Sequence, residues 1–446
     1  MKTQPFEHQI KASKFHLQRY SSADYSEQGT GKTWVAINVI EKRIEAGQIK
    51  RALIVCPASI LHVWESEIEK HSSFLTFTLL RGSQRMEIFK EVDTHCYIIS
   101  YDSLTSDIVK LAVRKCQQVI FDEVHKAKNI RAKRTRLALA LARKIPYRLQ
   151  MSGTPWPNSL EDIFSLFLIL DRGATFGTNY YRFLERYFYA RPIPRTRIKR
   201  YIAKPILKHI LKKALQGKAI RYLKDTLRDI PPKIYQTIPV DLSPAQRKYY
   251  RQLSHDLPIE EFSFELPPNI LAKYEKLQQI ASGFLYLDNQ LVELDNPKAQ
   301  ALLDLLPNVL AGGKKAVIAC KYRYEIELLK SLLKGYHPLV LDGTTTNKGK
   351  VCNKFQTDPT HQVLIMQVGC GIGVTLTAAD TMIFLSNTFN YADRYQSEDR
   401  IHRAGQRSRR VLYIDIIAKD TIDERILRIL RKKKQRIEDT LDNQQM

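Results

Sequence analysis

The stretch SEQGTGKT occupies residues 26–33, and a helical pattern of apolar residues follows it over residues 33–45. Glycines in such a stretch let backbone N–H groups approach phosphates closely, and the following helix points the positive end of its dipole at them. Lys32 is placed to reach the β and γ phosphates of a triphosphate, and the Thr33 hydroxyl to bind Mg²⁺. Ser26 takes the first glycine position of the G-x-x-x-x-G-K pattern, so a chance glycine-rich turn stays open as the alternative.

Short apolar runs alternate with helical patterns around this loop. Runs rich in β-forming residues and separated by helices predict βαβ units and a mainly parallel sheet. The run before the loop, RYSSADY at residues 19–25, is a poor strand pattern. The clear strand-like runs of the first half are ALIVCP (52–57), CYIISYD (96–102), QVIFDE (118–123) and RLQMSGT (148–154).

The second half shows the same alternation after an interval of different character. Aromatic residues and helical patterns dominate between residues 165 and 290, and residues 191–233 hold 14 Lys or Arg against two acids. This predicts a helical insertion with a basic face. Alternation resumes after Pro297 and predicts a second α/β lobe, followed from Thr421 by apolar residues at helical spacing. The strand-like runs of this lobe are KAVIAC (315–320), HPLVLDG (337–343), QVLIMQV (362–368), TMIFLSN (381–387) and RVLYIDIIA (410–418).

Composition narrows the class of protein. The 446 residues allow two or three domains, and the net charge of +25 makes the chain strongly basic. Nucleic acid is the first candidate partner and an anionic membrane surface the second, while a solubility bias is the alternative. The six cysteines lack CxxC spacing and indicate a reducing compartment. The N-terminus lacks the apolar core of a signal peptide, and the longest apolar stretch, residues 164–170, is too short to span a bilayer.

A pair of acids follows the apolar run QVIF. In α/β folds, ligands bind at the carboxyl ends of parallel strands, where Asp122 and Glu123 are expected to lie. Asp122 would hold Mg²⁺, and Glu123 would orient and deprotonate the attacking water. Surface acids that merely cap a strand are the alternative. That alternative weakens because a phosphate loop, an acid pair and distant arginines occur together.

Two further polar groups lie near predicted strand or helix ends. The hydroxyls of Ser152 and Thr154 are placed to sense the γ-phosphate through Glu123 or His125, although a plain turn explains the sequence equally well. Gln9 follows an aromatic residue and is placed to pair with the edge of an adenine, but a lone glutamine is a weak signal.

The segment YQSEDRIHRAGQ at residues 395–406 holds two arginines three residues apart. Residues at i and i+3 share a helix face, so Arg400 and Arg403 are expected to lie together beside Gln396 and His402. Two guanidinium forks on one face suit the negative charge of a transferring phosphoryl group.

These motifs resemble, in order along nearly the whole chain, those of superfamily-two helicase-type ATPases of the DEAH type. They are most similar to the Swi/Snf family of double-stranded DNA translocases. The matching segments are SEQGTGKT (motif I), ALIVCPASILHVWESEIEKH (motif Ia), VIFDEVHKAKN (motif II), RLQMSGTPWPNSLEDIFSLF (motif III), IPPKIYQTIPVDLSPAQRKYY (230–250), LDGTTT with VTLTAADTMIFLSNTFNYADRYQSEDRIHRAGQ (motifs IVa to VI) and IAKDTIDERILRILRKKKQ (417–435).

The resemblance implies a fold, cofactors and site residues. The implied fold has two RecA-like parallel-sheet lobes, a basic helical insertion and a C-terminal bracing helix, with domains at residues 1–165, 166–290, 291–418 and 419–446. The implied cofactors are ATP and Mg²⁺. The residues implied for nucleotide and metal binding are Gln9, Gly29, Thr30, Gly31, Lys32, Thr33 and Asp122. Those implied for hydrolysis are Lys32, Asp122, Glu123, Gln396, Arg400 and Arg403, the two arginines acting as fingers from the second lobe.

Two positions depart from the family pattern. Ser26 stands where the family usually has aspartate. In motif V, residues 366–370 read MQVGC where the family usually shows S-T-R-A-G-G, and Thr375 replaces an asparagine. Motif V links DNA contact to ATP in this family, so the departure leaves the strength of coupling open.

The implied function is ATP-driven movement along double-stranded DNA. Basic residues of 191–233, including Arg221 and Lys224, would hold DNA phosphates together with Ser59 and Lys321 at strand ends, and such contacts are independent of sequence and sensitive to salt. The alternatives are a strand-separating helicase, an RNA-directed ATPase and a non-catalytic DNA-binding scaffold. The chain is close to a bare motor, so we expect a cytoplasmic monomer from a bacterium or a bacterial virus. A nuclear location is the alternative, and the biological task, such as DNA repair, stays open.

Overall fold

The computed structural model describes residues 1–156, 159–192, 199–224, 231–254, 268–287, 290–370, 373–403 and 405–441. Contacts within the chain divide it into two compact units. The first unit comprises Met1–Thr226 with Arg436–Met446, and the second comprises Leu227–Gln435. Each unit is built on one large parallel sheet.

The first unit contains a seven-stranded parallel sheet with helices between its strands. The strands of the first unit, of which seven form this sheet, are β1 (Ser21–Asp24), β2 (Ala52–Cys56), β3 (Phe77–Leu80), β4 (Cys96–Ser100), β5 (Gln118–Asp122), β6 (Tyr147–Met151), β7 (Phe188–Pro192), β8 (Lys199–Ala203) and β9 (Ala219–Ile220). Its helices are α1 (Glu7–Leu17), α2 (Lys32–Glu45), α3 (Leu61–His71), α4 (Arg85–Glu91), α5 (Ser106–Lys115), α6 (Lys133–Lys144), α7 (Ile163–Asp171), α8 (Tyr180–Tyr187) and α9 (Pro205–Leu215). The sheet order is β3-β4-β2-β5-β6-β1-β9, while β7 and β8 form a separate antiparallel pair.

The central strands of this sheet explain why their sequences are continuous apolar runs. Every residue of β2, β4 and β5 is buried, as expected for a parallel sheet covered on both faces. The four predicted runs of the first half correspond to β2, β4, β5 and β6, so this part of the prediction is confirmed. The weak run before the phosphate loop forms β1, because pairing with β6 on one side and β9 on the other supplies the hydrogen bonds that a short polar strand needs.

The second unit contains a six-stranded parallel sheet of order β10-β17-β16-β13-β15-β14. Its strands are β10 (Lys233–Val240), β11 (Phe284–Leu287), β12 (Gln290–Glu293), β13 (Ala316–Cys320), β14 (Leu339–Leu341), β15 (Val363–Gln367), β16 (Thr381–Phe384) and β17 (Val411–Ala418), of which β11 and β12 pair antiparallel. Its helices are α10 (Pro244–Ser254), α11 (Pro268–Ala281), α12 (Pro297–Leu310), α13 (Arg323–Leu332), α14 (Lys348–Thr357) and α15 (Tyr391–Glu398). Helix α16 (Ile422–Leu441) begins in this unit, and its residues from Arg436 onward belong to the first.

Alternate side chains of the central strand β13 enter two cores. Ala316, Ile318 and Cys320 pack into one cluster, while Val317 and Ala319 pack into another. This division follows from the two-residue period of a strand. All five predicted runs of the second lobe form strands, which confirms the predicted second parallel sheet.

The interval 166–290 contains more strand than its composition indicates. Helices α8 to α11 lie within it, as predicted, and so do strands β7 to β11. Of these, β9 joins the first sheet and β10 joins the second, although most of β10 is exposed and lacks an apolar run. The predicted domain boundaries stay a prediction.

The apolar stripe predicted for the tail comprises Ile422, Ile426, Ile429 and Leu430. Helix α16 buries three of these residues, while Ile429 is half-buried. Among the described helices, none has both the length and the apolar content that crossing a bilayer requires.

Candidate nucleotide site and arginine turn

The phosphate loop connects β1 to α2, and its shape depends on glycine. Gly29 and Gly31 adopt positive φ values of 79° and 85°, a conformation that side chains disfavour. A Cβ atom at Gly31 would lie 2.0 Å from Nε2 of Gln9. Helix α2 begins at Lys32 with Gly31 as its N-cap, one residue before the predicted start. The positive φ therefore favours glycine at position 31, and a Cβ atom there would displace the flexible amide end of Gln9.

Lys32 and Thr33 lie at the start of α2, where a triphosphate would be held. The Lys32 ammonium donates hydrogen bonds to the backbone carbonyls of Ser26 and Glu27 at 2.8 and 2.9 Å. The Thr33 side chain is half-buried, and its hydroxyl makes no hydrogen bond within the described residues. Thr30, the loop residue between the two glycines, is buried and donates from its hydroxyl to the carbonyl of Glu27 at 2.8 Å. The loop thus holds its own lysine in place and leaves the Thr33 hydroxyl available to a metal.

Replacing Gly31 by alanine is expected to raise the KM for ATP about tenfold or more, because loop displacements of about 1 Å are costly at a reacting centre. The cause is the cost of a positive φ together with a collision that would push the Gln9 amide away from the Thr30 carbonyl. Gly47→Ala is the matched control, since Gly47 has a φ of 66° but no atom within 4 Å of its added Cβ. Equal KM values for the two variants, measured by steady-state ATP hydrolysis, would contradict the role of the collision.

The Gln9 side chain makes its hydrogen bonds to Phe6 and to Thr30 of the phosphate loop. Its Oε1 accepts from the Phe6 backbone N–H at 2.9 Å, and its Nε2 donates to the Thr30 carbonyl at 3.4 Å. The His8 ring also contacts the Thr30 carbonyl, at 2.8 Å from Nε2. These contacts place Gln9 beside the phosphate loop, and its pairing with adenine stays a prediction.

Asp122 ends β5 inside the first unit. The Trp64 indole N–H donates to its Oδ2 at 2.9 Å, and the Glu123 backbone N–H donates to its Oδ1 at 2.9 Å. Burial, followed by the charge of the adjacent Glu123, raises the pKa of Asp122 to about 7, against the opposing effects of Trp64 and Lys32. A carboxyl group whose ionised form is disfavoured in this way gains from a nearby divalent cation.

The residues of this region fit Mg²⁺. Within the described residues, no group of three or more His, Cys, Asp or Glu side chains could hold a metal ion by itself. Mg²⁺ in nucleotide sites is commonly bound by one or two protein oxygens together with phosphate oxygens and water. Asp122 and Thr33 would supply those protein oxygens, and the ion would neutralise phosphate charge.

Glu123 is held in an unusual backbone conformation by a network of polar side chains. Its φ of 48° lies in the left-handed region, which costs about 1–2 kcal/mol for a residue other than glycine. Gln28 of the phosphate loop donates to its Oε1 at 3.3 Å, and Ser152 donates to its Oε2 at 3.2 Å. His125 Nδ1 lies 3.2 Å from the same Oε2 and 3.2 Å from the Ser152 hydroxyl. Burial favours the neutral form, but His125, Lys32 and Ser152 outweigh it and lower the pKa of Glu123.

This network unites three separate sequence motifs. Ser152 contacts both Glu123 and His125, the two residues through which a sensor of the γ-phosphate is expected to act. Gly153 lies against the phosphate loop, because a Cβ there would come within 2.9 Å of Gln28 Cγ. The buried Thr154 is linked to the network through its backbone N–H, which donates to the Ser152 hydroxyl at 3.2 Å. The acid, the loop and the SGT segment can therefore respond to one another within the first unit, while sensing itself stays a prediction.

The two arginines of the second unit lie beyond a helix rather than on its face. Helix α15 ends at Glu398, and Arg400 and Arg403 occupy the turn that follows, so the prediction of a shared helix face is wrong. The reason is a tightening of the chain at the helix end, where the Arg400 N–H bonds to the Ser397 carbonyl at 3.1 Å. We call residues 399–403 the arginine turn.

The two arginines differ in exposure. Arg400 is 3% exposed, and its Nε donates to the carbonyl of Gln396, which is itself buried, at 2.7 Å. The Arg403 side chain is 23% exposed, and its Nε lies 3.4 Å from Asp399 Oδ2. Arg403 is therefore the more accessible donor in the structure.

A buried ion network anchors α15, which precedes the arginine turn. Arg394 donates to Glu398 Oε1 at 2.8 Å and also forms an ion pair with Asp415 of β17. Tyr235 of β10 donates to Glu398 Oε2 at 2.7 Å, and Lys233 lies 3.5 Å from the same oxygen. Burial disfavours the charged Glu398, but Arg394 and Lys233 outweigh it and lower its pKa.

The stability of the second unit is expected to depend on this ion network in a pH-dependent way. A lowered pKa stabilises the fold above the pKa of the unfolded acid, about 4.3, and that contribution is lost as pH falls through the folded value. Glu398→Gln should therefore cost about 3 kcal/mol near pH 7, and its difference from the wild type should shrink below about pH 4. Urea unfolding across pH measures this, with the exposed Glu327→Gln as the control, and a difference independent of pH would contradict the role of the charge.

The four residues predicted to contact DNA occupy dissimilar places. Ser59 is exposed in a turn after β2. The Lys321 ammonium bonds to both carboxylate oxygens of Glu275 at 2.7 Å, so its charge is already engaged. Arg221 and Lys224 are only 6% and 2% exposed, and their contact with DNA stays a prediction.

The burial of Arg221 and Lys224 follows from the path of the chain after β9. The backbone N–H of Tyr222 donates to Ser26 Oγ at 3.1 Å, and that of Lys224 donates to Glu27 Oε2 at 2.8 Å. This segment thus runs along the phosphate loop. An exposed basic face is present instead on α9, which buries three leucines and exposes Lys208 and Lys213.

Comparison with known proteins identifies the family. A model described as the SNF2-related domain matches residues 8–298, and one described as the helicase conserved C-terminal domain matches residues 297–405. The first match alone covers more than half of the chain. The chain belongs to the SNF2 family. Members of this family are helicase-like ATPases, which agrees with the predicted class of enzyme.

Relatives of this SNF2-family chain are much longer than the chain itself. An uncharacterized ATP-dependent helicase of Mycoplasma genitalium is 28% identical in an alignment of 428 positions that covers 93% of this chain and 40% of that relative. A TATA-binding protein-associated factor of Aspergillus fumigatus is 27% identical in an alignment of 480 positions, gaps included, that covers 91% of this chain and 25% of that relative. A solved Sulfolobus solfataricus SWI2/SNF2 ATPase core in complex with dsDNA aligns with a TM-score of 0.46 and 20% identity, covering 99% of this chain and 94% of that chain.

Several residues of the SNF2-family site are not indicated by any pattern in the sequence. Trp64 and Asp24 are examples, since Asp24 accepts a hydrogen bond from the Ser26 N–H at 2.9 Å. Nothing local marks Trp64, because it lies within an ordinary helical pattern. Gln28 had a usable signal, its place inside the phosphate loop, but its contact with Glu123 joins residues that are 95 positions apart.

Proposed function

We propose that this SNF2-family chain hydrolyses ATP with Mg²⁺ and uses the cycle to move along double-stranded DNA. The observation that carries the proposal is the Glu123 network. The Glu123 carboxylate, whose side chain is 12% exposed and whose pKa is lowered, lies between Gln28 of the phosphate loop and Ser152. A general base must be ionised to accept a proton from water, and this surrounding keeps Glu123 ionised.

The phosphate loop performs the binding step. Its backbone N–H groups and the start of α2 face the triphosphate, and the Lys32 ammonium exchanges the carbonyls of Ser26 and Glu27 for phosphate oxygens. Mg²⁺, held by Asp122 and Thr33, supplies charge neutralisation on the phosphates when it is bound.

Hydrolysis then requires a base and a cationic donor. Glu123 orients the attacking water and takes its proton. Arg403 and Arg400 donate to the charge that develops on the transferring phosphoryl group, with Arg403 the more accessible of the two. Ser152 and Gln28, which both contact Glu123, pass the presence or loss of the γ-phosphate to the rest of the first unit.

Three features support double-stranded DNA as the polymer along which the chain moves. They are the net charge of +25, the exposed basic face of α9 and the resemblance of the motifs to those of the Swi/Snf family. The test is ATP hydrolysis without nucleic acid and with double-stranded DNA, single-stranded DNA or RNA, over a range of salt. We expect double-stranded DNA to stimulate hydrolysis most, with stimulation falling steeply as salt increases. No stimulation by any nucleic acid would contradict the proposal.

Motion requires its own assay. We expect displacement of a third strand from a triplex and no separation of a forked duplex. Separation of the fork would instead indicate a strand-separating helicase. Stronger stimulation by RNA than by DNA would indicate an RNA-directed ATPase, and DNA binding without ATP hydrolysis would indicate a scaffold.

A further inference from the structure

Motif V, where this chain departs from its family, is hydrogen-bonded directly to the arginine turn. The Leu376 N–H donates to the Arg400 carbonyl at 2.9 Å, and Arg400 Nη1 donates to the Val374 carbonyl at 3.2 Å. Arg403 Nη1 donates to the Thr375 hydroxyl at 3.2 Å. Since Leu376 is fully buried, residues 374–376 form a fixed support for the turn.

The contacts of Arg403 lie on one side of its guanidinium group. Nε donates to the carbonyl and to Oδ2 of Asp399, at 3.1 and 3.4 Å, and Nη1 donates to Thr375. A guanidinium carries five N–H donors in one plane. Within the described part of the chain, Nη2 makes no hydrogen bond. Asp399 and Thr375 therefore fix the orientation of the fork and leave one edge available to an anionic oxygen.

We propose that Thr375 is a positioning residue for Arg403, through which motif V controls the arginine that acts on the phosphoryl group. The inference rests on the proposed function and adds a residue to it. The hydroxyl of Thr375 accepts the hydrogen bond at a position where the family usually has asparagine. Loss or displacement of the Thr375 hydroxyl would leave the fork of Arg403 held by Asp399 alone.

The neighbouring Thr377 offers a matched control. Its hydroxyl accepts a hydrogen bond from Gln356 Nε2 at 3.1 Å and contacts neither arginine. Both threonines are half-buried and lie in the same segment. Replacement of either by valine removes one hydroxyl and preserves side-chain shape, so only the partner of the lost hydrogen bond differs.

The experiment compares kcat and KM for DNA-stimulated ATP hydrolysis. Thr375→Val is expected to lower kcat about fivefold to tenfold with KM changed less than about twofold, the pattern of an interaction that acts in the transition state. Thr375→Ser keeps the hydroxyl and should retain kcat within about twofold, and Thr377→Val should match the wild type. An equal loss in Thr375→Val and Thr377→Val, or no rescue by serine, would overturn the proposal.

A double-mutant cycle separates positioning from general stability. If Thr375 acts through Arg403, Thr375→Val should have no further effect on kcat in an Arg403→Ala background. An undiminished effect in that background would overturn the proposal even if the single variant is slow. A wild-type chain that hydrolyses no ATP with any nucleic acid would refute the proposed function, and this inference would fall with it. Active wild type with an unaffected Thr375→Val would refute this inference alone.

Discussion

Glu123→Gln is expected to leave ATP binding intact and to reduce turnover by roughly 100-fold or more, because removal of a general base commonly costs 10²–10⁴-fold. Glutamine has nearly the shape of glutamate, and its amide oxygen can still accept from Ser152 or Gln28. It cannot take a proton from water. The variant should therefore hold ATP in a state that does not hydrolyse it.

Two measurements on Glu123→Gln separate binding from chemistry. A fluorescent ATP analogue should bind with an affinity within about threefold of the wild type, while single-turnover hydrolysis should be nearly lost. Glu91→Gln, on the surface at the end of α4, is the control for removal of a negative charge and should hydrolyse ATP normally. Normal turnover in Glu123→Gln would show that Glu123 is not the general base, and His125 would become the candidate for that role.

Arg403→Lys is expected to lower kcat by at least about 100-fold, since arginine fingers are worth 10³–10⁵ in related phosphoryl transfers. Lysine keeps the positive charge but lacks the planar fork. It cannot bond to Asp399 and Thr375 with one edge while it donates to a phosphate with the other. The loss should appear in kcat, because the interaction forms with the transferring group rather than with bound ATP.

Arg407→Lys is the matched control for this variant. Arg407 is exposed and lies four positions beyond Arg403 in the sequence. Single-turnover hydrolysis with saturating ATP and double-stranded DNA compares the two. An Arg403→Lys variant as active as Arg407→Lys would show that Arg403 is not a finger and would shift that role to Arg400.

The features of this protein that depend on neighbouring residues can be predicted from its sequence. The apolar runs of β2, β4, β5 and β6 bury nearly every residue, so their composition alone indicates strands. The phosphate loop can be recognised because its backbone takes positive φ values that favour glycine. The acid pair was readable because it follows such a strand directly.

Other parts of the fold depend on partners distant in sequence. Strand β10 is largely exposed and has no apolar run, and it forms because β17 pairs with all eight of its residues. Arg221 and Lys224 are charged residues that the sequence alone would place at the surface, but the chain after β9 returns to the phosphate loop and both are buried. Composition records charge, and it does not record which face the charge will occupy.

The sequence by itself determined which chemical groups the site has: a glycine loop with Lys32 and Thr33, an acid pair and two arginines. These are local, because spacing and residue type suffice to bind a phosphate or donate to one. Only the tertiary structure decided how the groups are held. It placed Gln28 and Ser152 on Glu123, and it placed Thr375 on Arg403 in a turn rather than on a helix. Hydrogen bonds between residues far apart along the chain leave no periodic signal, since they depend on how strands and turns pack rather than on neighbours in sequence.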